Sequence, residues 1–420
     1  MNIKKFEFKK IVSSPIFIVL TLIFLAYNTM IIMNKSYIRN DLKVLNEIVD
    51  EIGYQINDEM MLDFKAYYEE RLKYAKDILK ENGYESYDTI GDFFENNYVN
   101  ENSNLSLEEI EFLSKLSNIE SYYFLVNNLD EKYESIDINK IAEGDLSRSP
   151  YNDNINDIIR KNYDEFETRF EELKENGEQK NLFFYGRAYK MHSLLFKDIF
   201  KAMTYEIMIL IVLVTSFILN YEFENKTSSI TYSTKRGRNL IKDKLTVSLI
   251  STILIATIII GVTLLIYFSV FDYSGLWSVS INSFFAQEFN MPYLTWWDMS
   301  VAKYLMLFIT VTYILETIFC GITFVLSTII KNSYVVFGVF VIMSGLLVLL
   351  PTIIPSTFNI VMLTAYTPFA LILNESWWFM LKSSIATYKY YEVVTLVSWS
   401  LGVLIMGALC VNKFRKDSIK

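Results

Sequence analysis

The sequence predicts an all-α integral membrane protein. It has six transmembrane helices, a large and mainly helical extracellular domain between the first and second, and a re-entrant outer hairpin between the fifth and sixth. Three observations carry this. Hydrophobic residues fill 52% of 420 positions. They gather in runs close to the roughly 20 helical residues that cross a hydrocarbon core. Between these runs, 15 of the 19 Lys and Arg residues outside segment 35–200 fall in four patches.

Segment 1–34 comes first. Met1 to Ser14 sets Ile3, Phe6 and Ile11 among Lys4, Lys5, Lys9 and Lys10, a pattern that suits a helix lying along the inner headgroups and equally suits a simple topology anchor. The run Ile16 to Met33 is too long for a secretory h-region, and no small-x-small site closes it, so it reads as a retained first span.

Segment 35–200 is the one large polar region. It carries 36 acidic and 20 basic residues. Helices are predicted over Asp58 to Asn82, stopped by Gly83; from the capping box Ser106-Leu-Glu-Glu109 through Phe112, Leu116 and Ile119; and over Asn152 to Glu175, stopped by Gly177. Short strands are expected near Tyr122 to Val126 and Leu182 to Tyr185. Cys320 and Cys410 both fall in predicted spans, so no disulfide supports this region and it depends on packing. The lone His192 excludes His-pair metal motifs, and a Ser-His-Asp hydrolase would depend on it alone.

Segment 201–420 holds the other five runs: Ile207 to Leu219, Leu245 to Phe271, Tyr304 to Ile330, Ser333 to Ile354 and Val393 to Val411. The helix of the first of these is expected to start near Lys201, with Thr204, Tyr205 and Glu206 at its outer end. A seventh candidate, Ser356 to Asn374, follows Pro351 and Pro355 and contains Pro368. Six spans put all four basic patches on one side: Lys4 to Lys10, the loop 221–244, Lys331, and Lys413 to Lys420. Seven would put the last patch outside, against the cytoplasmic bias of positive charge. Residues 351–392 are therefore read as an outer hairpin that enters the membrane without crossing, sheltered by its neighbours. Both termini are then cytoplasmic. The net charge of −9 does not indicate nucleic acid, because the positive charge sits where headgroups or an inner partner would meet it.

Two stretches carry candidate function. In Thr310-Val-Thr312-Tyr313-Ile-Leu-Glu316-Thr317, Glu316 is the central ionisable residue of the predicted spans. It reads either as part of a substrate path or as a protonated carboxyl bonded to an adjacent helix. The loop 221–244 sets Glu222 and Glu224 at the exit of the second span and Lys235, Arg236, Arg238, Lys242 and Lys244 at the entry of the third, with Ile230 and Tyr232 as an apolar plug between them. A soluble partner could read this charge pattern, and the cations also suit anchoring to headgroups. None of the 14 glycines is followed by Lys, so the chain has no Walker A loop of its own.

One N-terminal span, a large outer insert and five further spans form an architecture that resembles the permease subunits of ABC-2 type exporters. So does Glu222-x-Glu224-x-x-Thr227 leading to Ser233-Thr-Lys-Arg-Gly-Arg238 and Lys244, and the ending Phe414-Arg415-Lys416-Asp417 resembles the family's own. The resemblance implies that the loop supplies a coupling helix seated in a cleft of a separate P-loop ATPase. Glu222, Glu224, Thr227, Ile230, Tyr232, Arg236, Arg238 and Lys244 would form that contact. It implies a second permease copy or a sister permease as partner, ATP and Mg bound by the ATPase and no cofactor on this chain, and a bacterial plasma membrane. The substrate would be amphipathic, peptide, lipid-like or ionic. Lys226 departs from the family, which has Gly before the Thr. Two other classes remain open: a membrane sensor of an antimicrobial or cell-wall ligand, and an ion-coupled secondary carrier.

Overall fold

The chain folds into helices α1 to α18 in the computed structural model, which describes residues 3–97, 103–148, 151–182, 189–233, 235–283, 285–286 and 291–416. At the N-terminus, α1 (Ile3–Val12) and α2 (Pro15–Asn34) are separated by Ser13 and Ser14, and Pro15 opens α2 where its missing N–H leaves no bond unmade. After the polar region come α11 (Phe200–Glu224), α12 (Ser228–Tyr232), α13 (Lys235–Val270), α14 (Val301–Ile329), α15 (Ser333–Ile353), α16 (Val361–Ala365), α17 (Pro368–Leu373) and α18 (Tyr391–Lys416). Among the described residues six helices are long and apolar enough to cross a membrane: α2, the stretch Leu194–Glu224 ending in α11, the Gly237–Val270 part of α13, α14, α15 and α18. The candidate 356–374 forms no such helix. Pro355 and Pro368 break it into the five residues of α16 and the six of α17.

Helix α11 is the hub. It packs against α13, α14, α15 and α2, and more than half of its apolar window is buried. The α14 and α18 axes approach closely at Gly321, where a Cβ would lie 2.1 Å from Val403 Cγ1. Phe369 of α17 packs at a tilt against Phe319 of α14 and edge to face against Phe340 of α15, with ring centroids 5.3 and 5.7 Å apart. The segment after α15 thus returns to pack on the middle of two spans.

The polar region is a helical layer: α3 (Arg39–Ile52), α4 (Asp58–Glu81), α5 (Ile90–Asn96), α6 (Leu107–Asn127), α7 (Leu129–Glu134), α8 (Ile138–Arg148) and α9 (Asp153–Glu175), followed by the short α10 (Tyr189–Ser193). The predicted starts and stops hold. Ser106 and Glu109 cap α6 reciprocally, and Gly83 and Gly177 end α4 and α9 at φ values of 81° and 68°. Buried Glu120 accepts the Ile90 and Gly91 amides at 2.9 and 2.8 Å, placing its charge at the start of α5.

The strand expected over Tyr122 to Val126 is instead the last turn of α6. Leu113, Leu116, Ile119, Tyr122 and Val126 are buried at three- and four-residue spacing, so the helical period prevails over the β-propensity of a few aromatics. Of the second expected strand only Leu182 lies within the described residues, beside an isolated Gln55–Asn181 bridge. Extended pairing among the described residues is otherwise the two-residue strands β1 (Phe285–Ala286) and β2 (Met291–Pro292) and two further isolated bridges.

This layer is fastened to one end of the spans. Asn46 Nδ2 donates to the Asp272 carbonyl at 2.8 Å, and Asn152 Nδ2 to the Thr357 carbonyl at 2.8 Å. Phe166 meets Trp296 edge to face at 4.7 Å. Arg169 holds Glu178 through two bonds of 2.7 and 2.6 Å, and Glu178 also accepts from Asn282 Nδ2 at 2.6 Å. Both side chains of that pair are less than 10% exposed. It is a charge-assisted clamp between the layer and the loop before α14.

Candidate functional site

At the opposite end of the bundle the polar segment between α11 and α13 makes a compact knot. Helix α11 closes with a Schellman turn. The Thr227 amide donates to the Glu222 carbonyl at 2.8 Å and the Lys226 amide to the Phe223 carbonyl at 3.1 Å. The left-handed position of this turn is Lys226, at φ 56°. That is the conformation glycine adopts at least cost, so Lys226 stands where glycine would relieve strain.

Four charges neutralise one another beneath the turn. Lys244 Nζ lies 2.6 Å from Glu222 Oε2 and 3.2 Å from Glu7 Oε2, and also donates to the Ile218 carbonyl. Lys10 Nζ bonds Glu7 at 2.8 Å and Glu222 at 2.9 Å. Side-chain exposure is 1% for Lys244, 6% for each glutamate and 20% for Lys10. Burial works against the Lys10 ammonium, but its bonds to Glu7 and Glu222 outweigh that and hold it above the ordinary lysine range. Helix α1 is thereby locked to α11 and α13, and is not only a headgroup helix: Glu7 and Ile11 are buried in this contact.

Tyr232, at the end of α12, points inward. It is 1% exposed, donates to Glu222 Oε2 at 3.1 Å, stacks on Phe223 at 5.6 Å and meets Phe414 of α18 edge to face at 5.2 Å. Burial and the Glu222 charge push its phenol well above the usual range, so it stays a neutral donor. Lys331 Nζ caps both Phe223 and Phe414, at 4.8 and 5.3 Å from the ring centroids. Glu224 Oε1 accepts the Ser333 amide at 2.6 Å, at the first residue of α15. Arg238 Nη1 reaches the Arg415 carbonyl at 3.5 Å. The four basic patches of the sequence meet at this one end.

The predicted plug therefore divides in two. Ile230 is 80% exposed, whereas Tyr232, two residues on, is an internal anchor. Glu222, Glu224, Thr227 and Lys244 build the support, and Arg238 lies at its edge. The Arg236 side chain lies outside the described residues. A five-residue helix shows no periodicity from which its outward side could have been read, and one partner of Glu222, Lys10, lies 212 residues away in the chain.

The bundle interior holds more acid than the sequence indicated. Glu316 is fully buried, and neither of its carboxyl oxygens has a hydrogen-bond partner among the described residues. Glu375, in the turn after α17, is 2% exposed with Thr204 and Lys201 of α11 as polar neighbours; the Thr204 hydroxyl is committed to the Phe200 carbonyl at 2.8 Å. Glu206, expected at the outer end of its helix, is 5% exposed and joined to α2: Asn28 Nδ2 donates to Glu206 Oε2 at 2.8 Å and to Thr263 Oγ1 of α13 at 3.2 Å. One signal was available for this cluster: Asn28 and Glu206 are polar residues within or beside otherwise apolar runs.

Compared with known protein families, residues 1–419 match the model described as ABC-2 family transporter protein. The chain belongs to that family, and with its six apolar helices it is a multi-pass membrane protein. No curated protein and no solved structure matches it.

Proposed function

We propose that this ABC-2 family chain is the permease subunit of an ATP-driven exporter, and that the exposed Ile230 on α12 is the knob through which a separate P-loop ATPase moves it. The observation that carries the reading is the contrast within α12. A large aliphatic side chain stands 80% exposed in a polar loop, on a helix held from beneath by buried charge pairs and a ring cluster. An isolated exposed isoleucine has no meaning alone, but a rigid one on a cationic surface has the form of an interface anchor.

The support would turn docking into motion. Displacing α12 pulls on α11 and α13 directly, on α1 through Lys10 and Glu7, on α15 through Glu224, and on α18 through Tyr232 and Arg238. Closure of the ATPases around ATP and Mg would thus tilt most spans of the permease together. In this reading the end bearing the four basic patches is cytoplasmic, the layer of α3 to α9 is extracellular, and residues 351–392 form a re-entrant outer hairpin. Two permease chains pair, as copies or sisters. Glu316 and Glu375, buried on α14 and on that hairpin, are the groups placed to meet a cationic part of a substrate on its way out.

The test is co-purification of the full chain, expressed in its native cells, with a P-loop ATPase. Ile230→Asp is expected to lose the ATPase while keeping the melting temperature of the isolated permease, since position 230 faces water. Retention of the ATPase by that variant overturns the docking role.

A further inference from the structure

Beside the α12 knot, on the side of α18, the structure contains two adjoining hollows of opposite character. The first, about 610 Å³, runs between α13, α14 and α18 and is lined mainly by apolar groups, among them Leu245, Leu249, Phe324, Leu404 and Val411. Its lining on α18 extends from Ser400 to Asn412, twelve helical steps or about 18 Å, slightly more than half the hydrocarbon thickness of a bilayer. Gly407 lines it, and a Cβ built there meets nothing within 4 Å. The second hollow, about 520 Å³, is walled by polar and cationic residues, Ser233, Arg238, Asn239, Arg415 and Lys416. Asn412 lines both, so they adjoin. Lys242 stands at the junction and is exposed.

Four cations, Arg238, Lys242, Arg415 and Lys416, thus surround the mouth of an apolar groove, and among the described residues none of them forms an ion pair with a carboxylate. This contrasts with Lys10 and Lys244 a few residues away, which are fully compensated. A groove that is apolar at membrane depth and strongly cationic at its inner rim is complementary to a molecule with an acyl chain and an anionic head.

We propose that this composite cavity binds an anionic glycerophospholipid of the surrounding bilayer, its phosphate among Arg238, Lys242, Arg415 and Lys416 and one acyl chain between α13, α14 and α18. The lipid then bridges the start of α13, which continues from α12, to the end of α18. Its occupancy would set how firmly the α12 knot is held. The site is independent of whether α12 engages an ATPase.

The experiment uses the full chain in nanodiscs of phosphatidylcholine with and without phosphatidylglycerol, followed by mild detergent extraction and native mass spectrometry of retained lipid. The wild-type chain is expected to retain phosphatidylglycerol selectively and to melt at a higher temperature when it is present. Each cation near an anionic headgroup strengthens binding about fivefold, so Lys242→Gln, Arg415→Gln and Lys416→Gln together should weaken retention about a hundredfold. The melting temperature of this variant in pure phosphatidylcholine should not change. Gly407→Leu, which fills the groove and leaves the cations in place, should lower retention with no loss of surface charge. Equal retention of the two lipids by the wild-type chain, or undiminished selectivity in the triple variant, overturns the proposal.

Discussion

Replacing Lys244 with Met should unlock the inner end of the protein. The Lys244 ammonium is 1% exposed and lies 2.6 Å from Glu222 and 3.2 Å from Glu7. With Lys10 present, the cluster of two glutamates and two lysines is neutral; without Lys244, two buried carboxylates share one cation. Breaking a buried pair by removing one partner costs about 3–5 kcal/mol, because the other charge stays buried and uncompensated. Glu222 would keep Lys10 at 2.9 Å and the Tyr232 hydroxyl at 3.1 Å, which places the loss near the lower end, about 3 kcal/mol. For a chain of this size that is a fall of about 6 °C in apparent melting temperature, at about 2 °C per kcal/mol. The assay is thermal unfolding of the purified full chain in nanodiscs at one scan rate. Glu222→Gln with Lys244→Met leaves the neutral pair Glu7–Lys10 and should cost less than the sum of the two single changes, by about 1–3 kcal/mol. Lys65→Met provides the internal control. Its bridge to Glu69 is 3.8 Å long with both side chains more than half exposed, and should contribute no more than about 1 kcal/mol. If Lys244→Met melts within a degree of the wild type, or if the double variant shows the full sum, the buried cluster does not hold α1, α11 and α13 together.

Three further outcomes are expected. Lys226→Gly removes the side chain from a left-handed position and should stabilise the loop by about 0.5–1 kcal/mol, seen as a small rise in melting temperature; a fall would mean that Lys226 makes contacts of its own. Arg169→Met leaves Glu178 buried against Asn282 without its cation, and should loosen the α3 to α9 layer by about 3–5 kcal/mol; hydrogen exchange around residues 178 and 282 should speed up while α11 to α18 stay protected. Glu316→Gln keeps the shape of a fully buried side chain but removes its capacity for charge. Transport should drop severalfold with ATPase co-purification intact, and unchanged transport would remove Glu316 from the mechanism.

The spans were legible in the sequence because hydropathy is a local property: twenty apolar residues have few alternatives to a membrane helix. The stops at Gly83 and Gly177 and the reciprocal cap at Ser106 and Glu109 were equally local. The convergence of the four basic patches followed from counting parity, and the meeting of Lys10, Lys244, Lys331 and Arg415 around one knot agrees with it. What the sequence could not carry was pairing across long separations. Lys10 reads as a headgroup anchor until Glu222 is brought to it, and Glu206 reads as the end of a helix until Asn28 and Thr263 close around it. The expected strand at Tyr122 failed for a related reason. Its aromatics have β-propensity, but their partners on α4, including the Tyr68 ring 4.8 Å from Tyr123, favour a helical face.

The proposed docking of a P-loop ATPase on α12 rests on Ile230. A photo-crosslinking side chain at position 230, compared with one at the exposed Val262 of α13, tests it most directly in membranes of native cells expressing the full chain. A covalent adduct with a P-loop ATPase is expected from position 230 and none from position 262. Absence of that adduct from position 230, in cells where transport proceeds, would contradict it.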